Sequence, residues 1–415
     1  MRSQRRNIFR AIATVGFAAI AMSSMAGTIT IGGPYMQTGQ LDSPDTFTAF
    51  QQFGYSVAIA RNDAVVTGPN EELSGVSDFA NIFSKGVSGT WSYVNSPPQP
   101  DGGSSPIGAF APCNSVAING TMMATGRPQA AEWPQSFAGE VDIYEKRSGG
   151  WQFTDIVVDP DHSFVERFGC GLAMSENTLV VGAGGDDFNG GGAYVYVKSG
   201  SEWVRQAKLT TTDNVSRTFF AQSIAIDGDT IVIGAQRGTN TTGKISGAAY
   251  IYNRTGTSWS GVKIEPADGE DNDSFGATVA VSGNTVLIGA PTKSVGGTSK
   301  AGTVYAYSPF GSSWNLRAEI KPPIEHDSGF FGSAVAAAFG RLIIGEAGAS
   351  VTHIYWPHSG SWVRSGILIS DANTSFGVAI GTSTTSSEFV VGAPNEGAGH
   401  AYTFDSDDIF ADDFE

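Results

Sequence analysis

The sequence predicts an all-β fold, a seven-bladed β-propeller of four-stranded antiparallel blades, and three recurring landmarks predict it. A Phe recurs at one position of a unit of about 55 residues: Phe53, Phe110, Phe168, Phe220, Phe275, Phe331 and Phe376. A Gly follows each Phe at 14 to 16 residues: Gly68, Gly126, Gly182, Gly234, Gly289, Gly345 and Gly392. In the first six copies a Trp comes later still, at Trp91, Trp151, Trp203, Trp259, Trp314 and Trp362. No helical periodicity interrupts the pattern after residue 26.

The fifth copy defines the unit. Val279-Ala280-Val281 reads as a strand, Ser282-Gly283-Asn284 as a tight turn whose residues tolerate positive φ, and Thr285 to Ile288 as the returning strand. That second strand is apolar nearly throughout, as expected for a strand covered on both faces. Gly302 to Tyr307 alternates like a third strand, and Trp314 opens a fourth that ends near Ile320. Such a meander cannot bury its faces alone. Stacking seven around an axis buries them and leaves only short edges.

The seventh copy ends with a third strand, Ala401 to Phe404, and has no Trp strand. The alternating segment Thr28-Ile29-Thr30-Ile31 is expected to supply the missing outer strand and close the ring. The organisation expected is a signal peptide over 1–26, a propeller over 27–404 and an acidic tail over 405–415. Arg2, Arg5, Arg6 and Arg10 precede an apolar stretch too short to span a membrane comfortably. Ser24-Met25-Ala26 then offers a cleavage site. Export by the general or the twin-arginine route is consistent with these residues, and no integral membrane domain is expected after cleavage.

Removing residues 1–26 removes four Arg and no acid, so the formal charge moves from −16 to −20. A surface this acidic repels nucleic acid and anionic lipid. It suits a protein at the cell surface, outside the cell or in a periplasm. Two cysteines in an exported chain permit one disulfide. Cys113 and Cys170 both fall at the start of first strands in neighbouring repeats, where a bridge and two buried thiols are the alternatives.

The landmarks resemble the FG-GAP repeat family, known from the propeller of integrin α chains and from bacterial secreted proteins. Phe275-Gly276 precedes Gly289-Ala290-Pro291, and Phe376-Gly377 precedes Gly392-Ala393-Pro394. The resemblance implies a propeller whose partners bind the face carrying the strand two-to-three loops and the interblade loops. Integrin-type copies often carry an Asp-rich calcium loop between the first two strands. Here those turns are short, as in Asp227-Gly228-Asp229, and offer too few oxygen ligands.

Acids instead recur in the interblade loops. The densest run is Asp268, Glu270, Asp271 and Asp273, a candidate for binding a partner and for weak Ca²⁺; no other cofactor is expected. Trp133 and Phe188 fall in strand two-to-three loops outside the core pattern and are candidates for stacking on sugars. The five His are scattered, and no nucleophile elbow, Cys-x-x-Cys or phosphate-cradling loop stands out. The function expected is therefore an exported non-catalytic binding or adhesion module whose partner is a protein or glycan at a cell surface. The alternatives are a secreted carbohydrate-active hydrolase or lyase using cross-blade carboxylates, and a structural surface protein.

Overall fold

The structure, a computed structural model, describes residues 29–43, 53–68, 80–95, 116–128, 139–158, 167–184, 191–212, 218–311, 313–370, 374–383, 386–396 and 399–406. Seven antiparallel sheets form a ring of blades. Blade 5 is typical. Thr278–Ser282 is innermost, followed outward by Thr285–Ala290, Thr303–Phe310 and Ser313–Ile320. Blades 1 to 4 repeat this meander from Ser56–Ala60 through Ser258–Ile264, and blade 6 spans Phe331–Ala338 to Ser361–Ser370. Blade 7 takes three strands from the C-terminal end: Ile380–Thr382, Phe389–Ala393 and His400–Ser406. The third of these runs through Ser406, two residues into the segment expected to be tail.

The N-terminal segment closes the ring, but not with the residues expected. Tyr35–Asp42, not Thr28 to Ile31, is the outer strand of blade 7, pairing with His400–Ser406 from Tyr35–Ser406 to Asp42–His400. Ile29–Gly32 pairs instead with the outer strand of blade 6 and makes it five-stranded. The physical reason lies in that outer strand. Its last residues include the apolar run Ile367-Leu368-Ile369, where the outer strands of blades 3, 4 and 5 carry Lys208, Lys263 and Glu319, so its edge gains by being covered. Gly33, at φ 114, sits at the crossing from blade 6 to blade 7.

Seven clusters of buried side chains make up the core, one at each interface between neighbouring blades. The repeated Phe anchors them. Phe168, Phe220, Phe275, Phe331 and Phe376 are fully or almost fully buried. Each meets a third-strand ring of its own blade edge to face, with centroids 5.6 Å apart for Phe168–Tyr194, 5.4 Å for Phe220–Tyr250 and 5.1 Å for Phe275–Tyr305.

The recurring Gly has a steric cause. In blades 2 to 7 the second-strand Gly lies against the backbone of the residue after the next blade's Phe. A Cβ on Gly234 would stand 1.9 Å from the Gly276 carbonyl oxygen, and one on Gly345 1.9 Å from that of Gly377. The contact recurs where the ring closes, since a Cβ on Gly392 would stand 1.8 Å from the Gly54 carbonyl oxygen. Blade 1 departs from the expected alignment. Thr67, not Gly68, occupies this position, because the Gly54 amide donates to the Thr67 carbonyl as the Gly276 amide donates to that of Gly289.

The hairpin-turn face is laced by ions. Lys85 pairs with Glu388 of blade 7, Lys146 with Asp63 of blade 1, and Lys198 with Glu145 of blade 2. Each of these lysines sits two residues beyond a third-strand aromatic and reaches back to the preceding blade. Lys146 and Lys198 also lie over Trp151 and Trp203 of their own blades, 5.9 and 5.5 Å from the ring centroids. In blades 2, 3 and 4 the repeated Trp are thus edge residues capped by cations, with Arg254 over Trp259 in blade 4.

Gly234→Ala is expected to destabilise the chain by about 3 kcal/mol or more, since the new methyl has no room without separating two blades. Gly311→Ala, in an open turn at φ 63 with nothing near its Cβ, is expected to cost only about 1 kcal/mol of backbone strain. Denaturant unfolding of the two variants checks the contrast.

Candidate functional site

Four of the residues singled out by sequence, Asp268, Glu270, Asp271 and Asp273, lie in the loop between blades 4 and 5, on the face opposite the hairpin turns. That loop is pinned on both sides. Asp273 is buried and accepts from the Glu270 amide at 2.9 Å and from the Lys293 ammonium at 3.0 Å. Lys293 also pairs with Asp268 at 3.1 Å, and the Tyr305 hydroxyl donates to Asp268 at 3.2 Å. Asp271 accepts from the Ile245 amide at 2.7 Å, and Glu270 pairs with Lys244.

The centre of this acidic run is therefore an ammonium supplied by the chain itself. Burial alone would lower the Lys293 pKa, but hydrogen bonds to Asp273 and Asp268 outweigh it and hold the pKa above the ordinary lysine value. Burial likewise opposes ionisation of Asp268, and Lys293 outweighs it, so the Asp268 carboxyl titrates below its usual range. Among the described residues no group of three His, Cys, Asp or Glu is arranged to hold a metal. What Asp268 and Glu270 do present is charge, with side chains 57% and 67% exposed.

The surface continues around the ring. Thr292 donates to the Asn272 carbonyl at 2.6 Å, and Thr298 to Glu325 at 3.2 Å. Two interblade loops and the two strand two-to-three loops of blades 4 and 5 so form one hydrogen-bonded surface. It carries the exposed acids Asp268, Glu270, Asp271, Glu325 and Asp327. Two exposed apolar side chains stand among them, Ile245 at 44% and Ile324 at 47%. Of the other candidates, Cys170 is buried on the innermost strand of blade 3, Phe168–Ser175. Cys113, Trp133 and Phe188 lie outside the described residues, as does the expected signal peptide.

Two charged clusters escaped the sequence reading. In blade 6, Glu346 is buried and bonded to His326 Nδ1 at 2.7 Å and to His353 Nε2 at 2.9 Å. In blade 2, buried Arg127 pairs with Asp142 and Glu140. A signal existed for both. Glu346 and Arg127 stand directly after the repeat Gly, where blades 3, 4, 5 and 7 have Ala183, Ala235, Ala290 and Ala393. His353 and Asp142 stand where other third strands have Tyr.

Comparison with known proteins agrees with this architecture. The FG-GAP repeat model matches residues 151–196, 203–252 and 259–307. The chain carries FG-GAP repeats in three copies within a seven-bladed propeller. Each match opens on the outer-strand Trp of one blade and ends on the third strand of the next, so the sequence repeat straddles the blade boundary. No curated protein matches the sequence. Among solved structures it is similar to a 6-phosphogluconolactonase candidate from Bacteroides uniformis ATCC 8492, at TM-score 0.51 and 9% identity, covering 76% of this chain and 85% of that one. It is also similar to a Lactobacillus plantarum protein, at TM-score 0.51 and 14% identity, over 86% of this FG-GAP propeller and 98% of that chain. At these identities the likeness is one of fold alone.

The blade 6 cluster makes stability depend on pH. Its hydrogen bond to Glu346 raises the His326 pKa above the ordinary histidine value. A raised folded-state pKa means that His326 stabilises fully below about pH 6.5 and that this contribution fades as pH rises through the folded value. The stability lost in His326→Ala is thus expected to be larger at pH 5.5 than at pH 8.5, as checked by thermal unfolding of both proteins at each pH. His353, whose pKa burial depresses, pulls the whole-protein curve the other way, so the comparison is made between variants.

Proposed function

We propose that this FG-GAP propeller is an exported, non-catalytic binding module that engages a cationic protein surface through the loop face of blades 4 to 6. The observation that carries this reading is the continuous loop surface, whose acids are held in place by backbone and ammonium partners around exposed Ile245 and Ile324. Fixed loops lose little entropy on binding. Apolar side chains ringed by charge suit a partner with a complementary basic rim. The chain's formal charge of −16 extends the attraction beyond contact distance. Two of its carboxylates, Asp268 and Asp273, share one lysine, an arrangement suited to rigidity rather than to acid–base work.

Export fits the basic start followed by an apolar stretch. No helix among the described residues is long and apolar enough to cross a membrane. The protein recovered outside the cytoplasm is expected to begin at Gly27, which N-terminal sequencing reads directly. Binding of the full mature chain to immobilised basic proteins, and to polysaccharides in parallel, is expected to be saturable on the protein arm. It should weaken steeply between low and physiological salt. Replacing Glu270, Asp271 and Glu325 together by Lys is expected to reduce it at least tenfold. Retention unchanged by the triple replacement, or found on polysaccharide alone, counts against the loop face as the protein-binding surface.

A further inference from the structure

On the opposite face, between blades 4 and 5, a groove of about 260 Å³ is lined by Trp314, Pro309, Ser313, Asn253, Thr230 and Asn284, together with turn glycines. The repeat explains why a groove opens here. In blades 2, 3 and 4 the residue two beyond the third-strand Tyr is Lys146, Lys198 or Arg254. Each lies over the outer-strand Trp of its own blade, Arg254 at 5.1 Å from the Trp259 centroid. In blade 5 that residue is Pro309, which pairs with Trp314 across the hairpin and has no cation to lay on it. Blade 6 makes the same exchange at Pro357, opposite Trp362, and its nearest arginine contact of this kind is Arg341 over the third-strand Trp356 at 4.8 Å.

The lining chemistry narrows the ligand. Among the described residues no charged side chain lines the groove, so neither a phosphate nor a carboxylate meets a counter-charge in its lining. The indole is fixed in place, its Nε1–H donating to Asn253 Oδ1 at 3.4 Å while the Asn253 amide donates to the Thr230 hydroxyl at 3.0 Å. Asn284 and Ser313 are exposed and offer donors and acceptors at the rim. A flat aromatic face, an apolar Pro edge and neutral amide and hydroxyl groups match a ring with one C–H face and equatorial hydroxyls. The volume lies just under the roughly 300 Å³ at which drug-sized sites begin. The geometry points to a second binding site in this propeller, a subsite for one neutral sugar ring of a glycan, separate from the loop face.

The test is titration of the full mature chain with neutral monosaccharides and their short oligomers, followed by saturation-transfer NMR and tryptophan fluorescence. At least one neutral sugar is expected to bind saturably with a dissociation constant on the order of millimolar. Trp314→Ala should weaken it at least tenfold, and Trp259→Ala should leave it unchanged. Because Trp314 also packs against its blade interface, Pro309→Lys provides a second variant. It lays a cation over the indole as in blades 2 to 4, and is expected to abolish sugar binding with an unaltered unfolding transition. Absence of saturable binding by any neutral sugar, binding that survives both Trp314→Ala and Pro309→Lys, or a response to quaternary ammonium compounds alone would overturn the assignment.

Discussion

The closest contact between blades is backbone against backbone, and the rest of the ring is arranged around it. At the loop-face end of six interfaces, out of blades 2 to 7, the second-strand Gly has no room for even a methyl group, because the carbonyl after the next blade's Phe fills that space. That residue is in turn held at positive φ, from 86° to 94° at Gly54, Gly169, Gly276, Gly332 and Gly377. At five interfaces two glycines, one for clearance and one for conformation, let adjacent sheets approach until the Phe of one blade fills the space beside its neighbour. The interface into blade 4 keeps the geometry with Ala221 at φ 69, and the Gly182 clearance remains. Each requirement is relaxed once, conformation at Ala221 and clearance at Thr67 of blade 1.

Such close approach leaves little volume beside the second strand, which is why the residue after the clearance Gly is Ala in blades 3, 4, 5 and 7. Blades 2 and 6 break the rule with Arg127 and Glu346, and both then replace the third-strand Tyr by a partner of suitable charge or hydrogen-bonding capacity. A buried charge without such a partner costs several kcal/mol. The exchanges therefore come in pairs, Arg127 with Asp142 and Glu346 with His353. Burial opposes ionisation of Glu346, and the two histidines outweigh it, leaving the carboxyl below its usual range. The cluster remains ionic at neutral pH through its neighbours alone.

The recurring residues made the blade count, the meander and the outer-strand Trp legible in the sequence, because each landmark answers to a steric requirement that returns once per blade. What returns only once was harder to read. Tyr35–Asp42 carries a weakly alternating pattern, with only Tyr35 and Leu41 buried, whereas Ile29 to Ile31 alternates more clearly yet serves blade 6. Thr67 fills the clearance position in blade 1, and the adjacent Gly68 drew the alignment one residue off. The acids at 268 to 273 were visible as a run. Their engagement by Lys293 was not, since that lysine arrives from a different loop.

The two faces divide their tasks because of where charge is free to go. On the hairpin face, third-strand lysines reach back to acids of the preceding blade and cap the Trp, so most of the charge there is spent on neighbours. The acids Asp63 and Glu388 are buried, so these pairs satisfy charges that would otherwise lie unpaired between blades, and they fix the angle from one blade to the next. The latch includes the closing interface, where Lys85 meets Glu388. Where Pro309 breaks the series the turn end of the blade is left neutral and open. On the loop face a different set of acids is used, with Asp271 and buried Asp273 holding backbone amides and the Lys293 ammonium, while Asp268 and Glu270 keep much of their surface in solvent. The chain's excess negative charge is presented there on a rigid support, and a surface both fixed and charged is suited to recognition.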